Sequence, residues 1–134
     1  MPQGTLVQAG GWGYQYTGAQ NVSTGAFGNA PPSQGQYQII VVNVANGSGQ
    51  PAAIPDGFFV MKDAQGRVYE FNRAASVDYV NRYGRGQAAD ISADEQVAPT
   101  NTLVSVGLLF DVAPDATNLV LLSRENINEG FLVR

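Results

Sequence analysis

The sequence predicts an all-β fold of two packed antiparallel sheets, and three observations lead to it. Apolar and aromatic residues alternate with polar ones along most of the chain, which is typical of half-buried strands. Turn-forming Gly, Pro, Asn and Asp separate these stretches, and helical segments do not alternate with them. The chain has 134 residues, the length of one domain, so we expect residues 1–134 to form a single sandwich.

The first predicted strand carries aromatic residues at every second position, namely Trp12, Tyr14 and Tyr16. A pleated strand places all three rings on one face. Two interpretations are open: the rings belong to the core, or they form a stacking platform for a sugar or a peptide. Residues 21–35 are rich in Gly, Ser, Asn and Pro and predict a loop, so residues 1–35 form an N-terminal strand and loop.

Residues 36–45 (QYQIIVVNVA) predict the strongest strand, because both of its faces are apolar. One face carries Ile40, Val42 and Val44, and the other carries Tyr37, Ile39 and Val41. A second apolar face of this size is not left in water. We expect Ile39 and Val41 to be buried within the monomer beneath residues 1–35, and burial in a weak homodimer is the alternative.

Five further strands are predicted downstream. Residues 57–62 and 67–71 form a hairpin around Asp63, whose side chain stabilises the turn, and Gly66. Residues 102–112 and 118–123 form the next pair, and residues 131–133 add an edge strand. About seven strands joined by turns indicate an immunoglobulin-like sandwich. The expected core comprises Val42, Val44, Phe59, Met61, Tyr69, Val106, Leu108 and Phe110.

The longest irregular segment, residues 72–98, contains a predicted helix at residues 76–83, with Ser76 as its N-cap. Long segments of this kind are often functional, and Tyr and Arg commonly anchor interfaces. The candidate contact residues are Tyr79, Arg82, Tyr83 and Arg85. The alternative is a solvated crossover between the two sheets.

The acidic residues Asp90, Asp94 and Glu95 raise the question of a calcium site. Calcium takes about six to eight oxygen ligands, and this spacing matches no calcium-loop signature. A charged turn is the other interpretation. We therefore expect no metal and no cofactor.

Composition excludes several kinds of function. The chain has no Cys and no His, which removes thiol chemistry and histidine-based nucleophile activation. The net charge is −4 and no basic run is present, so nucleic-acid binding is not expected. No apolar stretch reaches the roughly 20 residues of a membrane span. No pair of carboxylates stands out for glycoside hydrolysis, and we expect no catalytic role.

Three blocks of the sequence resemble a known family: QYQIIVVNVAN, FVMKDAQGRVY and VSVGLLFDVAP. The resemblance covers residues 36–123, most of the chain. They resemble a bacterial family of immunoglobulin-like domains in surface lipoproteins, sometimes labelled telomeric-repeat-binding-factor-like. They are more remotely similar to the secreted immunogenic antigen family of mycobacteria. Ala113 and residues 99–101 depart from the family pattern, and both lie in turns. The resemblance implies an exported sandwich and brings no catalytic or binding residues.

These observations favour a non-enzymatic, extracytoplasmic module that contacts a protein or a glycan. Charged residues make up only 13% of the chain, and such an uncharged polar surface is typical of exported proteins. We expect a secreted or surface-anchored domain whose leader or anchor is absent from this chain. The alternative function is a structural spacer or stalk with no specific ligand.

Overall fold

The computed structural model describes residues 2–22, 36–84 and 89–133. In these residues eight strands follow in the order β1 (Val7–Ala9), β2 (Trp12–Val22), β3 (Gln36–Asn46), β4 (Phe59–Lys62), β5 (Val68–Glu70), β6 (Val104–Val112), β7 (Val120–Ser123) and β8 (Asn126–Leu132). The first sheet has the order β1-β2-β3-β6, and the second has the order β5-β4-β7-β8. All pairings between these strands are antiparallel, which confirms the predicted sandwich.

The core lies between the two sheets, and all eight residues expected there are buried. Aromatic rings from both sheets meet at its centre. The ring of Tyr14 lies edge-on to that of Phe59, with 4.9 Å between centroids, and 5.8 Å from that of Phe131. Such pairs add stabilisation beyond the burial of their area.

The structure has one strand more than the sequence predicted, and β2 is longer than expected. β1 joins β2 through Gly10 and Gly11, whose φ angles of 52° and 84° suit a two-residue hairpin turn. β2 continues to Val22, although residues 21–35 were predicted to be a loop. The second half of β2 was missed because residues 19–21 are exposed and carry no large apolar side chain, so the segment shows no apolar alternation.

The predicted helix begins earlier than expected. Helix α1 spans Arg73–Tyr79, and a π-helical turn, Val80–Gly84, follows it. Asn72 is the N-cap, because its side chain accepts a hydrogen bond of 3.0 Å from the backbone N–H of Ala75. Ser76, the predicted N-cap, is instead buried inside the helix.

Helix α1 packs on the outer face of the first sheet and covers the second apolar face of β3. Ile39 is buried there with Leu109 and Ala75, while Val41 is only partly buried. The prediction that residues 1–35 lie across this face is wrong for the described part of that segment, because residues 12–22 extend the sheet as β2. Gly107 allows the close approach, since a Cβ there would lie 2.9 Å from Val80 Cγ2.

Candidate functional site

The aromatic row of β2 belongs to the core. Trp12, Tyr14 and Tyr16 are 4%, 0% and 6% exposed, so their faces cannot stack on a ligand in this structure. Burial raises the pKa of Tyr14 to about 12. The Tyr14 hydroxyl donates a hydrogen bond of 3.5 Å to the backbone oxygen of Glu129. Of the two interpretations of this row, the structure supports the core.

The other predicted contact residues, all from the segment 72–98, differ in where the structure places them. Tyr79, at the end of α1, is partly buried against the cluster around Ile39. Arg82 lies in the π-helical turn and its Nε donates to Asp78 Oδ1 at 2.8 Å. Tyr83 lies in the same turn, and Arg85 lies outside the described residues.

The acidic residues considered for calcium take part in local hydrogen bonds. Glu95 Oε2 accepts from the backbone N–H of Ser92 at 2.6 Å, and Asp94 pairs with Arg73 at 3.4 Å. The backbone N–H of Asp90 donates to the oxygen of Ser105 at 3.0 Å. Within residues 2–22, 36–84 and 89–133, no group of three or more acidic side chains is placed to hold a metal ion.

Asp63 stabilises the β4–β5 turn, as its position in the sequence suggests. Burial alone would raise the pKa of its carboxyl group, but hydrogen bonds lower that pKa to about 2. The donors are Arg67 Nε at 2.6 Å, the Tyr69 hydroxyl at 2.8 Å, and the backbone N–H groups of Arg67 and Gln65, both at 2.9 Å. This carboxylate holds the edge strand β5 against β4.

The outer edge of β6, which ends the first sheet on one side, is capped by other parts of the chain. The backbone oxygen of Leu109 accepts from the N–H of Asn72 at 2.8 Å, and its N–H donates to Ser76 Oγ at 2.8 Å. The oxygen of Ser105 accepts from the N–H groups of Asp90 and Ile91. β6 therefore offers little unpaired backbone at these positions.

The opposite edge of the first sheet is only partly covered. β1 pairs with residues 12–14 of β2, and a bulge follows between Tyr16 and Gly18. The N-terminal residues extend this cover a little, because Gly4 donates to the oxygen of Tyr16 and Gln3 donates to that of Thr17. No strand of the described residues pairs with the outer side of residues 18–22, which we call the open edge.

The hydrogen-bond alternation shows which backbone groups the open edge presents. Leu109 turns its N–H and C=O away from β3, so its register partner Ile39 turns its own groups toward β2. Ile39 lies opposite Gln20, which therefore bonds inward. The adjacent residues Ala19 and Asn21 direct their N–H and C=O groups outward, away from the sheet.

Two recesses flank the open edge, one on each face of the strand. The outer recess has a volume of about 260 Å³ and is lined by Thr17, Gly18, Ala19, Gln20, Ile39 and Val41. The inner recess has a volume of about 180 Å³ and is lined by Ala19, Gln20, Asn21, Gln38 and Val133. The two recesses share the same short piece of strand.

Gln38 gives the inner recess a specific chemical character. The residue is only 3% exposed, and its Nε2 donates to Asn21 Oδ1 at 3.1 Å. Its Oε1 accepts no hydrogen bond, and among the described residues it is the one buried side-chain oxygen or nitrogen without a partner. Buried polar atoms are normally paired, so an unpaired acceptor beside a recess indicates a place for a donor.

Comparison with known proteins gives one structural likeness. No family model matches the chain, and no curated protein matches it in sequence. A similar solved structure is that of MPT63, a secreted protein from Mycobacterium tuberculosis, with a TM-score of 0.55 and 16% identity over 90% of this chain and 79% of that one. The likeness shows a shared fold, which agrees with the remote similarity noted in the sequence. The resemblance to surface lipoproteins has no matching family model behind it.

The residues of the open edge were not among the predicted site residues. Gly18, Ala19, Gln20 and Asn21 carry no aromatic ring and no charge, so composition does not single them out. One sequence signal was present, because Gln38 occupies the same face of β3 as Ile40, where an apolar residue is expected. Every helix in the described part of the chain is too short or too polar to cross a bilayer.

Proposed function

We propose that this chain is a non-enzymatic, extracytoplasmic immunoglobulin-like module that binds a protein partner through the open edge of β2. The observation that carries the proposal is the pair of residues Ala19 and Asn21, whose backbone N–H and C=O groups point outward between the two recesses. An extended polypeptide can hydrogen-bond to such an edge and place alternate side chains in the two recesses.

The same geometry favours a protein over a glycan. A sugar-binding platform needs exposed aromatic faces, and the three rings of the β2 row are buried. Backbone N–H and C=O groups at the spacing of a strand instead match the backbone of another strand. The partner is therefore a polypeptide that supplies an extended segment.

The open edge also lacks two of the features by which sheets avoid unwanted pairing, although a bulge lies at its start between Tyr16 and Gly18. Prolines and charged residues commonly protect exposed edges, and residues 18–22 (GAQNV) contain neither. The β6 edge of the same sheet is capped by Asn72 and Ser76. An edge without such protection is suited to pairing with a partner strand.

The extracytoplasmic location rests on composition and on similarity. Charged residues form only 13% of the chain. The structurally similar MPT63 is described as a secreted protein, and the sequence blocks of residues 36–123 resemble domains of bacterial surface lipoproteins. We place this module outside the cytoplasm, either secreted or displayed on the cell surface.

The proposal can be tested with a displayed library of random short peptides selected on the purified protein. We expect enriched peptides whose binding falls on the order of tenfold or more in Ala19→Pro, because proline removes one outward N–H group. The matched control is Ala19→Val, because the valine side chain is similar in volume to that of proline and the variant keeps the backbone N–H of residue 19. NMR shifts on peptide binding should centre on residues 18–22 and 37–41.

Three results would contradict the proposal. Peptides that bind the proline variant as well as the wild type would place binding elsewhere. A glycan array that yields a ligand insensitive to Ala19→Pro would favour the glycan alternative. A selection that enriches nothing would favour the structural spacer.

A further inference from the structure

On the basis of the proposed function, we infer that the bound segment is uncharged and alternates two kinds of side chain, an aliphatic one in the outer recess and a neutral hydrogen-bond donor that reaches Gln38 Oε1 in the inner recess. The inference concerns the chemistry of the partner and goes beyond the location of the contact. It rests on the different linings of the two recesses.

The outer recess selects an aliphatic side chain. Val41 supplies partly exposed apolar surface beside the buried Ile39, and the flanking Gly18 and Ala19 keep the recess open because they lack bulk. Ile39 is buried under α1, whereas Val41 is only partly covered. A Val or Leu side chain placed there would remove apolar surface from water on both partners.

The inner recess selects a donor. Gln38 Oε1 is buried and unpaired, while the amide nitrogen of the same side chain is already bonded to Asn21. A partner hydroxyl or amide N–H in this recess would pair the oxygen. An aliphatic side chain there would leave the acceptor unpaired and cut off from water, which is unfavourable.

The linings also argue for a neutral donor. No charged residue among the described ones lines either recess. A Lys or Arg side chain brought into the inner recess would lose hydration and find no carboxylate there. Thr, Ser, Asn and Gln carry a donor without this penalty.

A second copy of this chain fits the open edge less well. If two copies paired through their β2 edges, each would offer the other residues 18–22 (GAQNV). The one apolar side chain among them larger than a methyl group is that of Val22, which is already buried in the cluster around Ile39 of its own chain, so the apolar side of the outer recess would remain unfilled. The two recesses therefore fit a strand of different sequence.

The test uses two short synthetic peptides with lysines at both ends. In the first peptide valine and threonine alternate, and in the second each threonine is replaced by 2-aminobutyrate, which lacks only the hydroxyl. We expect the threonine peptide to bind the wild-type protein on the order of tenfold more tightly. In Gln38→Leu, a similar-sized apolar replacement, this preference should disappear while binding persists.

The outcomes separate this inference from the proposed function. If both peptides bind equally, or if the preference survives in Gln38→Leu, the inference is overturned. The proposed function still stands in that case, provided that Ala19→Pro weakens both peptides. The inference about the partner's side chains is also overturned if neither peptide binds, or if the protein alone dimerises through residues 18–22. Circular dichroism of Gln38→Leu establishes that the variant is folded.

Discussion

The two edges of the first sheet differ in how the rest of the chain meets them. Along β6, the N-cap residue of α1, a buried serine hydroxyl and the backbone of residues 90–91 pair with outward groups of the strand. Along the second half of β2, Ala19 and Asn21 direct their backbone groups to solvent between two recesses. Both strands are hydrogen-bonded to β3 on their inner sides. The two edges therefore differ in whether other parts of the chain pair with the backbone groups on the outer side.

Under the proposed function, the β6 edge has a structural role and the open edge binds the partner. Phe110 of β6 forms an isolated antiparallel bridge with Phe71, and the groups that cap the β6 edge also attach α1 to the outer face of the sheet. Along the open edge, residues 19–21 are exposed and uncharged and contribute little to the core, and Val22 is the one buried residue there. Changes along β6 should therefore lower stability, and changes along the open edge should alter binding while the fold persists.

The largest expected effect follows from removing the ring that anchors the capped edge. Phe110 is fully buried, and the centroid of its ring lies 6.3 Å from that of the Phe71 ring. Phe71 directly precedes Asn72, the N-cap of α1. Phe110→Ala should lower the free energy of unfolding by about 3–5 kcal/mol, through lost burial and the cavity left behind. Denaturant unfolding measures this value. Ile127→Ala, at an exposed site, is the control and should change it little.

A smaller effect is expected from removing a single cap. Ser76 Oγ accepts from the N–H of Leu109 at 2.8 Å and donates to the oxygen of Asn72 at 2.6 Å. Ser76→Ala leaves the buried N–H of Leu109 unpaired and should lower the free energy of unfolding by about 1–3 kcal/mol.

Hydrogen exchange shows whether the Ser76→Ala effect is local. The amide of Leu109 should exchange faster in the variant than in the wild-type protein, because its hydrogen bond is gone. The amides of Ala19 and Asn21 should exchange fast in both proteins. Slow exchange at these two amides in the wild type would show that their N–H groups are hydrogen-bonded. Residues 18–22 would then not form an open edge, and the two edges of the sheet would not differ.

The sequence predicted the fold better than it predicted the candidate site, for a physical reason. Burial produces a pattern that can be read from the chain, and the alternation around Val42 and Val106 predicted the core correctly. Whether a strand edge is open depends instead on what the other segments leave unpaired. β1 stops pairing with β2 at Tyr14, and the sequence of residues 18–22 does not predict this.

The helix shows a related limit. Asn72 and Ser76 are both good N-cap residues, so local preference did not decide between them. Tertiary packing decided, because the hydroxyl of Ser76 is needed at Leu109 of β6. The cover of Ile39 was missed for the same reason, since the helix that provides it lies far away in the sequence.

The last prediction concerns an edge of the second sheet and the dependence of its stability on acid pH. The turn before β5 is held by Asp63, whose folded-state pKa of about 2 lies below its ordinary value of 3.8. A carboxyl group with a lowered pKa stabilises the fold fully above the ordinary value, and this contribution is lost as pH falls from about 4 to about 2. The free energy of unfolding should therefore decrease over this window.

Asp63→Asn separates this residue from the other carboxylates. The variant should be less stable than the wild type near neutral pH, and the difference should shrink as the pH falls, because the wild-type carboxylate becomes protonated. Asp56→Asn is the control, since that side chain is 88% exposed and its pair with Arg73 should contribute little at any pH. If the Asp63→Asn difference stays constant from neutral pH to about 2, the charge of Asp63 does not hold β5 in place. The β5 edge would then depend on backbone pairing with β4 alone, as the inner side of the open edge depends on β3.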